Sequence, residues 1–257
     1  MGQHGKHRAL VGLALATALV PGAAAAQVGC RLALLLALDI SSSVNAEEDT
    51  LQRSGLASAL IAPEVQEAFL GDPLPVALAA YEWSGRHRQA VLLDWVLVDS
   101  AEDLLIAAQQ IGRSERSTNN FPTALGYALG YGATMLRRAP PCLWQVIDVS
   151  GDGKNNEGFG PEAAYREFPF AGVTVNGLVI NAAEFEAEVD LIDYYRTEVL
   201  RGPGAFIEVA QGFEDYERAM RRKLLRELRS KAVGGLDGPD LPGPFGALVL
   251  PARGDEG

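Results

Sequence analysis

The sequence predicts an α/β fold: a Rossmann-like, doubly wound, mostly parallel sheet with one antiparallel edge hairpin. Three observations predict it. Leu32 to Leu38, Leu143 to Val149 and Val173 to Ile180 are apolar runs without alternation, as strands buried on both faces require. Helical patterns separate them, which is the signature of parallel crossovers. Pro75 to Trp83 and Gln89 to Val98 are joined only by Ser84 to Arg88, too short a link for a crossover, so this pair is a hairpin.

The chain begins with what reads as an export leader, residues 1–26. Lys6 and Arg8 are its positive region and Leu10 to Val20 its apolar stretch, too short to span a bilayer. Ala24, Ala25 and Ala26 before Gln27 supply a small-residue cleavage site; a retained anchor is the alternative. Gln27 stands where a lipoprotein box before Gly29-Cys30 would place an aliphatic residue. Cleavage would leave no transmembrane anchor and an exported chain, periplasmic or extracellular.

Residues 27–232 form the expected domain. The segment Leu32 to Val44 ends its strand in Asp39, Ser41 and Ser43, three short oxygen side chains two residues apart. Asn45 and Glu48 make a capping box for a helix carrying Leu51, Leu56, Leu60 and Ile61, interrupted or restarted at Pro63. After the hairpin, Ser100 caps a helix over Ala101 to Ile111. The polar stretch 112–120 leads to a helix opening at Phe121 to Ala124, with Asn120 as its cap and Pro122 in its first turn. That helix carries Gly126, Gly130 and Gly132, which predicts close packing against the sheet.

The strand Leu143 to Val149 runs into the turn-forming loop Ser150 to Asn156. A short helix around Glu162 to Glu167 precedes the strand Val173 to Ile180. Phe185, Val189, Ile192 and Val199 mark a helical face, and Ala205 to Ala210 a last strand. The final helix carries the stripe Phe213, Tyr216, Met220, Leu224 and Leu228, its acids leading and arginines trailing, as the helix dipole favours. Its cluster Arg221, Arg222 and Lys223 reads as a solvated face. Residues 233–257, with seven glycines and four prolines, read as a disordered tail, and its Arg253-Gly254-Asp255 as coincidence.

The net charge is −11, or −13 without Lys6 and Arg8, which argues against nucleic acid and against anionic lipid. Two cysteines, Cys30 and Cys142, each precede an apolar run. In an exported chain they suggest one disulfide across the starts of neighbouring strands; two buried free thiols are the alternative.

In open α/β sheets the functional crevice lies beyond the carboxyl ends of the strands. Asp39, Ser41, Ser43, Thr123 and Asp152 should gather there. Their oxygens are hard ligands, suited to Mg²⁺, Mn²⁺ or Ca²⁺. Other chemistries lack parts. An EF-hand starting at Asp148 would need a carboxylate where Phe159 stands. Gly153-Lys154 lacks the first glycine and the hydroxyl of a P-loop. A Ser-His-Asp triad would have to use His87, the one histidine outside the leader.

Asp39-Ile-Ser-Ser-Ser43 with Thr123 and Asp152 resembles the metal-ion-dependent adhesion site of von Willebrand factor type A domains, over roughly residues 31–231. The stretches VIDVSGDGKNNEG (146–158) and RGPGAFIEVA (201–210) resemble a bacterial family of uncharacterised exported A domains. Two features depart from the commonest pattern: Asp152 sits in Ser-Gly-Asp-Gly, and Thr123 follows Phe-Pro. The resemblance implies the A-domain fold. It implies that Ser41, Ser43 and Thr123 coordinate a divalent cation, Mg²⁺ first and Mn²⁺ or Ca²⁺ as alternatives, with Asp39 and Asp152 acting mostly through water. It further implies a non-enzymatic, adhesion-type module whose cation takes an Asp or Glu from a protein partner. The alternatives are a metal-dependent hydrolase at the same site and a structural envelope protein whose site stays empty.

Overall fold

The computed structural model describes residues 1–2, 29–181 and 186–231, without the side chains of residues 186–189. The leader (apart from its first two residues), the tail 233–257 and Phe185 of the expected helical face lie outside the described residues, as does the side chain of Val189. Among the described residues there are six strands: β1 (Cys30–Asp39), β2 (Val76–Trp83), β3 (Gln89–Val98), β4 (Cys142–Gly151), β5 (Val173–Ile180) and β6 (Ile207–Ala210). They form one sheet in the order β3-β2-β1-β4-β5-β6. Only β2 and β3 pair antiparallel, which puts the hairpin at one edge as its short link demands.

The helices are α1 (Ala46–Leu60), α2 (Pro63–Leu70), α3 (Ala101–Gly112), α4 (Leu125–Leu136), α5 (Pro161–Glu167), α6 (Glu186–Tyr194) and α7 (Tyr216–Ser230). A π-helical turn, Tyr195–Val199, continues α6, and a 3-10 turn, Phe213–Asp215, precedes α7. Pro63 restarts a helix as α2, using the proline at its first turn. No described helix is long and apolar enough to cross a membrane.

Because side chains alternate along a strand, β1 feeds two cores. Leu32, Leu34, Leu36 and Leu38 pack with Leu56, Leu104, Met220 and Leu224 of α1, α3 and α7. Ala33, Leu35 and Ala37 pack on the other face with Leu125, Leu129 and Tyr195. Each fully buried leucine contributes roughly 2 kcal/mol. This double burial explains why β1 reads as a continuous apolar run.

Cys30 and Cys142 are register partners on β1 and β4 and form a disulfide. Asn45 and Glu48 make the expected capping box, with Asn45 Oδ1 accepting from Glu47 and Glu48 N–H and Glu48 Oε2 accepting from Asn45 N–H.

Two expectations are corrected. The helix expected from Phe121 starts at Leu125, behind Ala124, without a side-chain cap. Asn120 instead takes a left-handed backbone (φ 61°), a conformation asparagine tolerates, and turns the chain into an extended loop. Lys223, expected on a solvated face, is fully buried. Its ammonium pairs with Asp148 of β4 and with Glu227 Oε1 at 2.9 Å.

The glycines of α4 serve two neighbours. Gly132 faces the sheet, where a Cβ would stand 2.9 Å from Tyr81 Oη. Gly126 faces the segment before α5, where a Cβ would fall 2.1 Å from Phe159 O and 2.7 Å from Gly160 O. Since only backbone could yield there, Gly126→Ala is expected to cost roughly 2 kcal/mol; a thermal melt against wild type measures it.

Candidate metal site

The parallel strands β1 and β4 are neighbours, so their carboxyl ends deliver Asp39 and the loop holding Asp152 to one place. Asp39 is fully buried, and its Oδ1 accepts from Ser41 N–H at 2.7 Å, which turns the backbone sharply after the strand. Ser41 and Ser43 hydroxyls are 3.1 Å apart, and Ser43 donates to Asp152 Oδ1 at 2.8 Å. These four residues form one connected group at the rim of the sheet.

Thr123, buried at 4% exposure, joins through its backbone. Its N–H donates to Asn156 Oδ1 at 2.9 Å, and its carbonyl accepts from Asn156 and Glu157 N–H. Its hydroxyl borders the same loop, 3.4 Å from where a Cβ of Gly153 would stand. Phe121 O accepts from Ser42 N–H at 2.8 Å, tying this loop to the serine motif. No hydrogen bond joins the Thr123 hydroxyl to the other four among the described residues.

The electrostatics are those of a site short of positive charge. Burial first, and the Asp152 carboxylate second, push Asp39 well above the ordinary carboxylate range; the Ser41 hydrogen bonds and Arg116 act against this. Burial also raises Asp152, with the Ser43 hydroxyl pulling down and Glu48 adding repulsion. Asp39 Oδ2 is buried with no hydrogen-bond partner. A divalent cation would relieve the repulsion.

The donor set fits a hard ion: two carboxylates and three hydroxyls, all oxygen. Among the described residues no group of three or more His, Cys, Asp or Glu is placed to hold a metal ion. His87 is exposed in the hairpin turn, its ring edge-on to Tyr127 at 5.9 Å.

Sequence reasoning missed Arg116. Its guanidinium donates to the carbonyls of Thr118, Val44, Ile40 and Ser41, so one side chain laces the serine motif to the polar loop 112–120. Gln52 does likewise, donating to Asp39 O at 2.9 Å. Both act on backbone carbonyls, which no side-chain pattern announces. Asn155 and Asn156 were visible only as turn formers; they hold the Asp152 loop against Gly126 and Thr123.

Known proteins frame this geometry. Three solved structures share the fold at low identity. Proximal thread matrix protein 1 from the mussel byssus, with a zinc-occupied MIDAS motif, is 16% identical with a TM-score of 0.54, over 80% of this chain and 49% of that one. A von Willebrand factor type A protein from Catenulispora acidiphila is 14% identical with a TM-score of 0.52, over 79% and 43%. The pilus adhesin SpaC from Lactobacillus rhamnosus GG, in its open conformation, is 13% identical with a TM-score of 0.54, over 79% and 30%. The chain spans about half or less of the length of these proteins. No curated protein matches the sequence. A family profile described as "Protein of unknown function (DUF1194)" matches residues 29–232. The chain therefore belongs to that family, and its fold is that of the von Willebrand factor type A domains.

Proposed function

We propose that this chain is an exported, non-enzymatic binding module. In this reading Ser41, Ser43, Thr123, Asp39 and Asp152 hold a divalent cation, Mg²⁺ foremost, that captures an Asp or Glu of a protein partner. The observation that carries the reading is the hydrogen-bonded group Asp39–Ser41–Ser43–Asp152, which joins two separate strand ends around hard oxygen donors. When bound, the cation supplies a coordination position for an outside carboxylate. With hydroxyls in place of further carboxylates, the protein leaves that ion short of negative charge, which favours a partner's carboxylate. The fold neighbours, one with a zinc-occupied MIDAS motif and another a pilus adhesin, support this class of function.

Calorimetric titration with Mg²⁺ and Mn²⁺, paired with a crosslinking pull-down from the native envelope, tests the reading. Capture should require the cation and disappear with EDTA; capture unchanged by EDTA would sink the proposal.

The partner would also meet a cationic, aromatic rim. Arg86, His87 and Arg88 project from the β2–β3 turn, and all three are exposed. The Arg88 guanidinium lies 4.4 Å over the Phe121 ring, beside the serine motif. Arg86 is shared with Glu157 at 3.2 Å. Such a rim suits a second acidic residue on the partner. Arg88→Ala should weaken capture about three- to tenfold, as one interface charge typically does. Its cation affinity, read by the same calorimetry, should not change.

A further inference from the structure

We infer that Tyr195 is a positioning residue of the cation site, its phenol holding Asp39 Oδ2 through one ordered water beside Gly151; this rests on the cation-binding reading above. Tyr195 and Asp39 are both fully buried. Tyr195 Oη and Asp39 Oδ2 are both without a hydrogen-bond partner. Leaving two such atoms unmatched would cost roughly 1–3 kcal/mol each.

They face the same point. A Cβ on Gly151 would stand 2.5 Å from Tyr195 Oη and 3.0 Å from Asp39 Oδ2. A side chain at this last position of β4 would fall on both oxygens, so glycine is what lets the phenol and the carboxylate come together there. A water within reach of both would accept from the phenol and donate to the carboxylate.

The surrounding structure is shaped to put the ring there. Gly177 of β5 gives it a slot: a Cβ at that position would fall 2.8 Å from Tyr195 Cδ1. Tyr195 opens the π-helical turn Tyr195–Val199, whose wider backbone turns the residue inward. Such turns are uncommon and concentrate at functional sites. Two glycines on adjacent strands and a widened helical turn therefore converge on one hydroxyl.

The role is to fix which way Asp39 points. Oδ1 is committed to Ser41 N–H, and the water-bridged phenol would hold Oδ2, so the carboxylate plane is set before a cation arrives. Residues that orient a metal-site carboxylate in this way typically change metal affinity about 10- to 100-fold.

The test compares the full chain with Tyr195→Phe, which keeps the ring and loses only the hydroxyl, and with Gly151→Ala, whose Cβ would push the two oxygens apart. Crystals of metal-free wild type should show a water within hydrogen-bond distance of both oxygens, absent from each variant. Mn²⁺ affinity by calorimetry should fall about tenfold or more in both, while metal-free Tyr195→Phe stays folded, its melting temperature lowered by a few degrees for the one buried hydrogen bond it loses. A dry gap in wild type, or Tyr195→Phe binding Mn²⁺ as wild type does, overturns the assignment. If wild type binds no divalent cation, the proposed function fails by itself. The bridge is then decided by the crystals: Asp39 keeping a single orientation in Tyr195→Phe would refute it.

Discussion

Asp39→Ala is expected to lower divalent-cation affinity by about 100-fold or more, equivalent to about 2.7 kcal/mol, and to abolish cation-dependent partner capture. The substitution removes one of only two carboxylates at the site, along with the acceptor that turns the serine motif. Asp39→Asn separates these effects. It keeps an oxygen for Ser41 N–H and loses the charge, so it too should bind the cation poorly. Without metal it should melt no lower than wild type, because it removes a buried charge that Asp152 repels. Calorimetry and a metal-free melt decide the matter; an Asp39→Asn protein with wild-type affinity would count against any electrostatic role for Asp39.

Lys223→Met is expected to have the largest effect on stability. Its ammonium bridges Asp148 and Glu227, all three fully or almost fully buried. Asn176 Nδ2 donates to Glu227 Oε1 at 2.7 Å, and Asn176 Oδ1 accepts from Phe206 N–H, so the cluster joins β4, β5 and α7. Tyr216 and Ser150 hydroxyls meet beside it at 3.2 Å, and Phe206 stacks under Lys223 and Arg226. Removing the cation strands two buried acids, which typically costs 3–5 kcal/mol. For a domain of this size that is a fall of roughly 6–20 °C in melting temperature.

The pH dependence of that loss has a definite sign. Burial pushes Asp148 up to about 7; Lys223 pulls it back and Glu227 pushes it up. Without Lys223 the folded-state value climbs further above the unfolded value of about 3.9. A carboxyl raised on folding gives stability that is present at low pH and lost as pH rises through its folded value. In wild type that loss is complete near pH 7, whereas in Lys223→Met it continues, so the deficit should be flat at low pH and widen as pH rises through about 7 and beyond. A deficit independent of pH would mean that the lost methylene packing, not the charge, had carried the effect.

The legible parts of this protein were those written in side-chain pattern. The uninterrupted run Leu32 to Leu38 announced a strand buried on both faces, and the brevity of Ser84 to Arg88 announced the hairpin. The positions of Cys30 and Cys142 before two such runs anticipated their pairing. Asp39, Ser41, Ser43 and Asp152 could be brought together from sequence because they stand at the ends of strands that turned out to be neighbours. What stayed hidden acts through backbone or through space. Arg116 binds carbonyls from within a loop with no periodicity. Lys223 and Glu227 sit four residues apart, the spacing of an ordinary exposed helix pair, and only packing on β4 and β5 buries them. Asn120 looked like a helix cap because asparagine favours both caps and left-handed turns.

The disulfide at the starts of β1 and β4 has a mechanical consequence. Cys30 lies at the end of the sheet opposite Asp39, and Lys231 reaches the same pole, its ammonium 4.8 Å from the Trp144 ring. A load applied between that pole and the Asp39 end of the sheet would pull along the length of the central strands. In that direction the ladder between β1 and β4 resists as a set of bonds sheared together, not peeled one at a time. The cross-link closes that ladder at the cysteine pole. Such a load would be borne by the two innermost strands, the same two that carry Asp39 and lead to Asp152.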